Sequence, residues 1–170
     1  MLLKSIAQAT LAAILAAFTW GAAAQAPTPA TPPGPMLYGA PISLDNAKKA
    51  AAVAAAEARK NKWLMAVAVT DPAGTLVYFE KLDGTQTASA NIAVAKSRSA
   101  AIYKRPTKVM FDDLAAGGAG LRFLSLEGAV PVEGGVPIVM DGKIVGAIGA
   151  SGGTGQQDGV VAKAGADALK

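Results

Sequence analysis

Neither cysteine nor histidine occurs among the 170 residues. Without cysteine there are no disulfides, no thiol nucleophile and no thiolate metal site. Without histidine there is no Ser-His-Asp or Cys-His catalysis and no imidazole ligand for a metal. Aromatic residues make up 5% of the chain and charged residues 16%. The net charge of +4 is a mild excess that does not call for nucleic acid as a partner. Hydrophobic residues are plentiful at 52%, but alanine supplies much of that share.

The composition divides the chain into three parts. In residues 1–24, Lys4 provides a positive start, Ile6 to Trp20 an apolar run, and Ala22-Ala23-Ala24 a small-residue cleavage site. That pattern reads as a bacterial export signal. The run is shorter than a membrane span needs and leads directly into a polar, proline-rich stretch, so no stable membrane anchor is expected once the leader is removed. No cysteine follows the cleavage site to carry a lipid. Residues 25–41, QAPTPATPPGPMLYGAP, hold six prolines and read as an extended, poorly ordered tether. Residues 42–170 are the right length for one folded domain. The expected location is periplasmic or secreted.

Within that domain Ser43 is placed to cap a helix over 44–60. Leu44, Ala47, Ala51, Ala54 and Ala58 recur at helical spacing and form one thin face. Leu64–Thr70 is almost wholly apolar, as in a strand covered on both sides, and Asp71-Pro72-Ala73-Gly74 is a turn into a return strand over 75–81. A second helix spans 88–104 and ends at Pro106. A short helix is expected over Thr107–Ala115, and a third strand over Arg122–Leu126. Asp141-Gly142 between Val136–Met140 and Ile144–Ala150 is a hairpin turn, because both central residues of a type I′ turn need positive φ. Gly149, Gly152, Gly153 and Gly155 then lead into a last helix, 156–169, capped by Ser151 or Thr154. The order is α-β-β-α-(α)-β-β-β-α. Tight turns force antiparallel pairing, so the expected α/β closure is an antiparallel sheet of about five strands with helices packed on it.

The ordered set GGVPI, DGKIVGAIGASGG, Gln157-Asp158 and an alanine-rich terminal helix resembles the GlcG/HbpS family, a haem-binding or haem-degrading domain family. The helix at 44–60, AVAVTDPAGTLVYFEKLDGT at 66–85 and the Ala/Lys helix at 90–104 agree with it. The resemblance covers about residues 42–170. It implies a profilin-like sandwich, haem as a cofactor or ligand, and a homo-oligomer.

Three features are candidates for chemistry. The glycine loop 149–155, at a helix N-terminus, offers backbone N–H groups to an anion, with Gly152 and Gly153 at its centre. It lacks the Gly-Lys-Ser/Thr of a P-loop and the spacing of a dinucleotide fingerprint. A basic cluster comes second: Lys96, Arg98, Lys104, Arg105 and Lys108, with Tyr103 and Phe111 beside it and no acidic residue between Asp83 and Asp112. Cations beside an aromatic face suit an amphipathic dianion. The same residues also read as solvated helix positions. Third are oxygen and sulfur donors for haem iron. Tyr38, Tyr78, Met36, Met65, Met110 and Met140 are less well placed than Tyr103. The resemblance adds Thr107, because in one branch of the family a threonine contacts the iron. Family members that ligate haem through histidine have no match here.

Among carboxylates, Asp112-Asp113 point about 100° apart on a helix and read as first-turn residues. Glu127 and Glu133 flank Gly128–Val132, and Glu133, beside Gly134-Gly135, is a candidate general base. No catalytic residue is assigned. The readings of function are an exported haem- or tetrapyrrole-binding protein that sequesters or senses its ligand, an accessory protein or enzyme that binds a small carboxylate such as a hydroxy acid, and a non-catalytic oligomeric interaction module.

Overall fold

The computed structural model describes residues 36–170. The leader and most of the tether read from the sequence lie outside the described residues. The elements are β1 (Leu37–Tyr38), α1 (Leu44–Lys60), β2 (Ala66–Thr70), β3 (Leu76–Lys81), α2 (Ser89–Ile102), α3 (Thr107–Ala115), a 3₁₀ helix (Gly118–Leu124), β4 (Gly135–Met140), β5 (Lys143–Ser151) and α4 (Gly155–Asp167).

β5 is the central strand. It pairs antiparallel with β4 along one side and with β2 along the other, and β2 pairs antiparallel with β3. The hairpin turn joining β4 to β5 has Asp141 at φ 49° and Gly142 at φ 72°, as its sequence demands. β1 runs parallel to the start of β5, with Leu37 opposite Lys143 and Tyr38 opposite Ile144. Because β4 occupies the other side of those two residues, β1 and β2 lie end to end along one side of β5.

Two expectations are corrected here. The fifth strand is β1 and not Arg122–Leu126. That segment is mostly 3₁₀ helix, entered through Gly117 and Gly118, and it pairs with no strand of the sheet. The ordered fold also begins before residue 42. Gly39 N–H donates to the Ile144 carbonyl and Ile42 N–H to that of Val145, which draws the end of the tether into the sheet.

Helices cover both faces, so β2 is buried at every position and shows no polar alternation. Its odd residues, Val67 and Val69, face the main core with Ile148, Ala150 and the alanines of α1 and α4. Its even residues, Ala66 and Ala68, face α2 at Ala93. Thr70 continues that face and bonds the Ser97 hydroxyl at 2.8 Å. The alanine stripe of α1 is buried inside the protomer, although Leu44 at its head is exposed. Small side chains are what let α2 lie on the sheet. A Cβ at Gly149 would sit 2.1 Å from the Ala93 carbonyl oxygen.

Candidate functional site

One residue of the basic stretch turns inward. Lys96, on the sheet-facing side of α2, sends its ammonium past the end of β5 to the Asp158 carboxylate at 2.6 Å. It also donates to the Ala150 carbonyl at 3.2 Å. The two side chains are 1% and 4% exposed. Asp158 stands in the first turn of α4, and its other oxygen accepts the Gly153 N–H at 3.0 Å. Burial pushes the Asp158 carboxyl above the ordinary aspartate value, against the pull of Lys96 and of the Gly153 and Gly152 N–H groups. The glycine loop is therefore an anion nest whose anion is a side chain of the same molecule. Thr154 caps α4 by accepting the Gln157 N–H, and Gln157 returns the bond to Thr154, completing a capping box.

Gly134 and Gly135 permit this arrangement. A Cβ on Gly134 would lie 2.7 Å from the Asp158 Cβ and 2.9 Å from the Lys96 Nζ. One on Gly135 would lie 2.3 Å from the Lys96 carbonyl oxygen. The Gly135 N–H donates to the hydroxyl of Thr107, at 2.9 Å, and Thr107 is fully buried. This bond ties β4 to the start of α3.

The outer surface of these same glycines is the floor of a cleft of about 270 Å³. Pro106 and Lys108 at the start of α3 form one wall. Glu133 to Val136 form the floor, and Gly159, Lys163, Asp167 and Lys170 of the C-terminal helix and its end form the other wall. Lys108 is paired with Asp112 at 2.7 Å, and this hydrogen bond holds its ammonium above the ordinary lysine value. Asp167 takes bonds from Lys163 and Lys170, which hold its carboxyl below the ordinary range. Glu133 packs along the bare backbone of Gly155 and Gly159, and among the described residues no cation lies within ion-pairing distance of it. The cleft thus carries three lysines against two carboxylates over an apolar and backbone floor.

The residues singled out in the sequence do not form one site. Lys96 is spent on Asp158, and Gly153 on the same carboxylate. The Tyr103 hydroxyl donates to the Glu127 carbonyl at 2.6 Å. Lys104 reaches the Met36 carbonyl and lies 4.1 Å over the Tyr38 ring. Arg105 bonds the Tyr103 carbonyl. Arg98 is exposed and lines a separate groove with Ala95, Ile102 and Glu127. Of the cluster only Lys108 borders the cleft. Lys163, Asp167 and Lys170 carry no signal in the sequence: they are distant from the basic stretch and look like an ordinary solvated helix end. Asp112 and Asp113 stand beyond the first turn of α3, and each pairs with a cation, Lys108 and Arg122. Among the described residues no group of three metal-ligating side chains occurs.

Residues 42–167 match the model of the family described as haem degrading protein HbpS-like. The chain belongs to this family. As an HbpS-like protein it is 41% identical to protein GlcG of Escherichia coli strain K12 over 95 residues, 56% of this chain and 69% of GlcG. A double mutant of Streptomyces reticuli HbpS superposes with a TM-score of 0.71 at 30% identity, over 87% of this chain and 99% of that one. PduOC, solved as a complex with haem, shares the fold at a TM-score of 0.69 and 23% identity, over 76% of this chain and 96% of its own. The α/β sandwich is thus the fold of the HbpS-like family.

Proposed function

We propose that this chain binds haem or a related tetrapyrrole dianion in the cleft between α3, β4 and α4, and that it works as an exported protein that sequesters or senses that ligand. The observation that carries the reading is the cleft itself. Val136 and the bare backbone of Gly134 and Gly135 offer a floor for an apolar ring, Pro106 and Gly159 flank it from the two walls, and Lys108, Lys163 and Lys170 stand at its rim for propionates. Membership of the family and the haem complex of PduOC support the choice of ligand. The leader at 1–24 supports export.

The donor set does not fit strong ligation of iron. The walls offer carboxylates and amines, with no imidazole, thiolate or thioether. Tyr103 and Thr107 are not among the lining residues, and the Thr107 oxygen already accepts the Gly135 N–H. Retention in this reading rests on propionate pairing and ring contact. The alanine stripes, being buried within the protomer, contribute nothing to assembly. The exposed Phe111, Leu121 and Leu124 of α3 and the 3₁₀ helix are an apolar surface open to a homo-oligomer.

Titration of the purified protein with hemin tests the reading. The expected result is a saturable Soret shift that weakens several-fold in Lys163→Ala and in Lys108→Ala; an unchanged hemin spectrum overturns it.

A second reading is favoured by the cleft's size. At about 270 Å³ it encloses only a small ligand, or one edge of a large one. A 2-hydroxy acid could place its carboxylate on the lysines and its hydroxyl on Glu133. That reading expects thermal stabilisation by small hydroxy acids and none by hemin.

A further inference from the structure

We infer that Lys96 and Asp158 are positioning residues of the cleft: the buried pair fixes where its walls stand, and so sets its affinity for an anionic ligand. This rests on the reading of the cleft as the binding site. Neither residue touches the cleft's interior, since both side chains are almost wholly buried. Each is nevertheless joined to its walls. Asp158 precedes Gly159, a wall residue, and holds the Gly153 N–H behind the first turn of α4. Lys96 packs its backbone carbonyl against Gly135 and its ammonium against Gly134, both floor residues. Gly135 in turn is bonded to Thr107, between the wall residues Pro106 and Lys108. A single ion pair thus connects the α4 wall to the floor, and through the floor to the α3 wall.

Stability alone gives no reason for an ion pair here. A buried pair is commonly replaced by apolar residues of similar volume without loss of stability, because desolvation offsets its attraction. What an apolar pair lacks is direction. Three hydrogen bonds of defined geometry, to Ala150, Asp158 and Gly153, hold one separation of α2, β5 and α4. Apolar contact tolerates a range of separations.

The test compares the full-length protein with Lys96→Met/Asp158→Leu and with Asp158→Glu, which keeps the charge and displaces it. Hemin affinity is read by titration, and folding by circular dichroism and thermal unfolding. Both variants are expected to unfold cooperatively and to bind hemin at least tenfold more weakly than the parent. Affinity within twofold of the parent, in whichever variant folds, overturns the inference. Should the parent itself fail to bind hemin, the cleft reading falls, and amide exchange decides the role of the pair separately. Selective acceleration at Gly135 and Gly159, with Val67 and Val69 unchanged, supports positioning; a uniform acceleration overturns it.

Discussion

The Lys96 ammonium and the Asp158 carboxylate meet at 2.6 Å between the α2 layer and the α4 layer, where water does not reach them. Each is the other's principal compensation for burial. Removing one partner leaves an uncompensated buried charge, which costs more than the pair is worth. Lys96→Met should therefore destabilise the protein by about 3–5 kcal/mol. Urea unfolding would show this as a lower midpoint with an unchanged slope.

The pH dependence of that variant has a definite sign. Burial raises the Asp158 carboxyl in the folded state, so the fold holds this proton more tightly than the unfolded chain does. Its contribution to stability is complete below the ordinary aspartate value and is lost as pH rises through the folded value. Loss of Lys96 takes away the main opposing pull and raises the carboxyl further. The stability deficit of Lys96→Met relative to the parent should be smaller at pH 4.5 than at pH 8, a comparison of about two urea midpoints per protein. A deficit that grows on acidification would contradict the assignment.

Gly135→Ala should be among the costlier small substitutions. Its methyl would lie 2.3 Å from the Lys96 carbonyl oxygen and 2.7 Å from the Thr107 Cγ2, so α2 and α3 must both move. Overpacking of this kind costs about 1–3 kcal/mol. Thermal unfolding of this variant beside Gly142→Ala separates the two effects, since nothing lies within 4 Å of a Cβ at Gly142 and only its positive φ of +72° opposes substitution.

Thr107→Val separates a structural role from a ligand role. The change deletes the acceptor for the Gly135 N–H and leaves that buried donor unpaired, at about 1–3 kcal/mol. Because the oxygen is committed inward, the spectrum of bound hemin should keep its shape. A changed Soret position at saturating hemin would show instead that Thr107 meets the iron.

Local patterns in the chain carried much of this fold. Asp141-Gly142 sets its own turn through φ, Thr154 caps its own helix, and Thr107–Ala115 begins directly after Pro106, a residue a helix start tolerates and a helix interior does not. Leu37–Tyr38 reads as tether and Arg122–Leu126 as strand for one reason. Whether a short segment becomes a strand depends on whether a sheet edge is free beside it, and the segments themselves carry no mark of that. The candidate site was less legible. A row of cations along 96–108 reads as one patch in sequence, but Lys96 and Arg98 point to different sides of α2, Lys104 follows the end of that helix, and Lys108 is on α3. Lys96 went to the core, Arg98 to another groove, Lys104 to the ring of Tyr38, and Lys108 alone to the cleft.

The sequence by itself determined the absence of thiol and imidazole chemistry, the hairpin, the helix caps, the alanine faces and the family. Each of these depends on residue type or on neighbours within a few positions. Only the tertiary structure decided that the glycine nest holds Asp158, that Lys96 is its counter-ion 62 positions away, and that Lys163 and Lys170 face Lys108 across a cleft. Those relations join residues far apart in the chain, and they exist only once burial has made an unpaired charge too costly and the glycines have let three backbones approach.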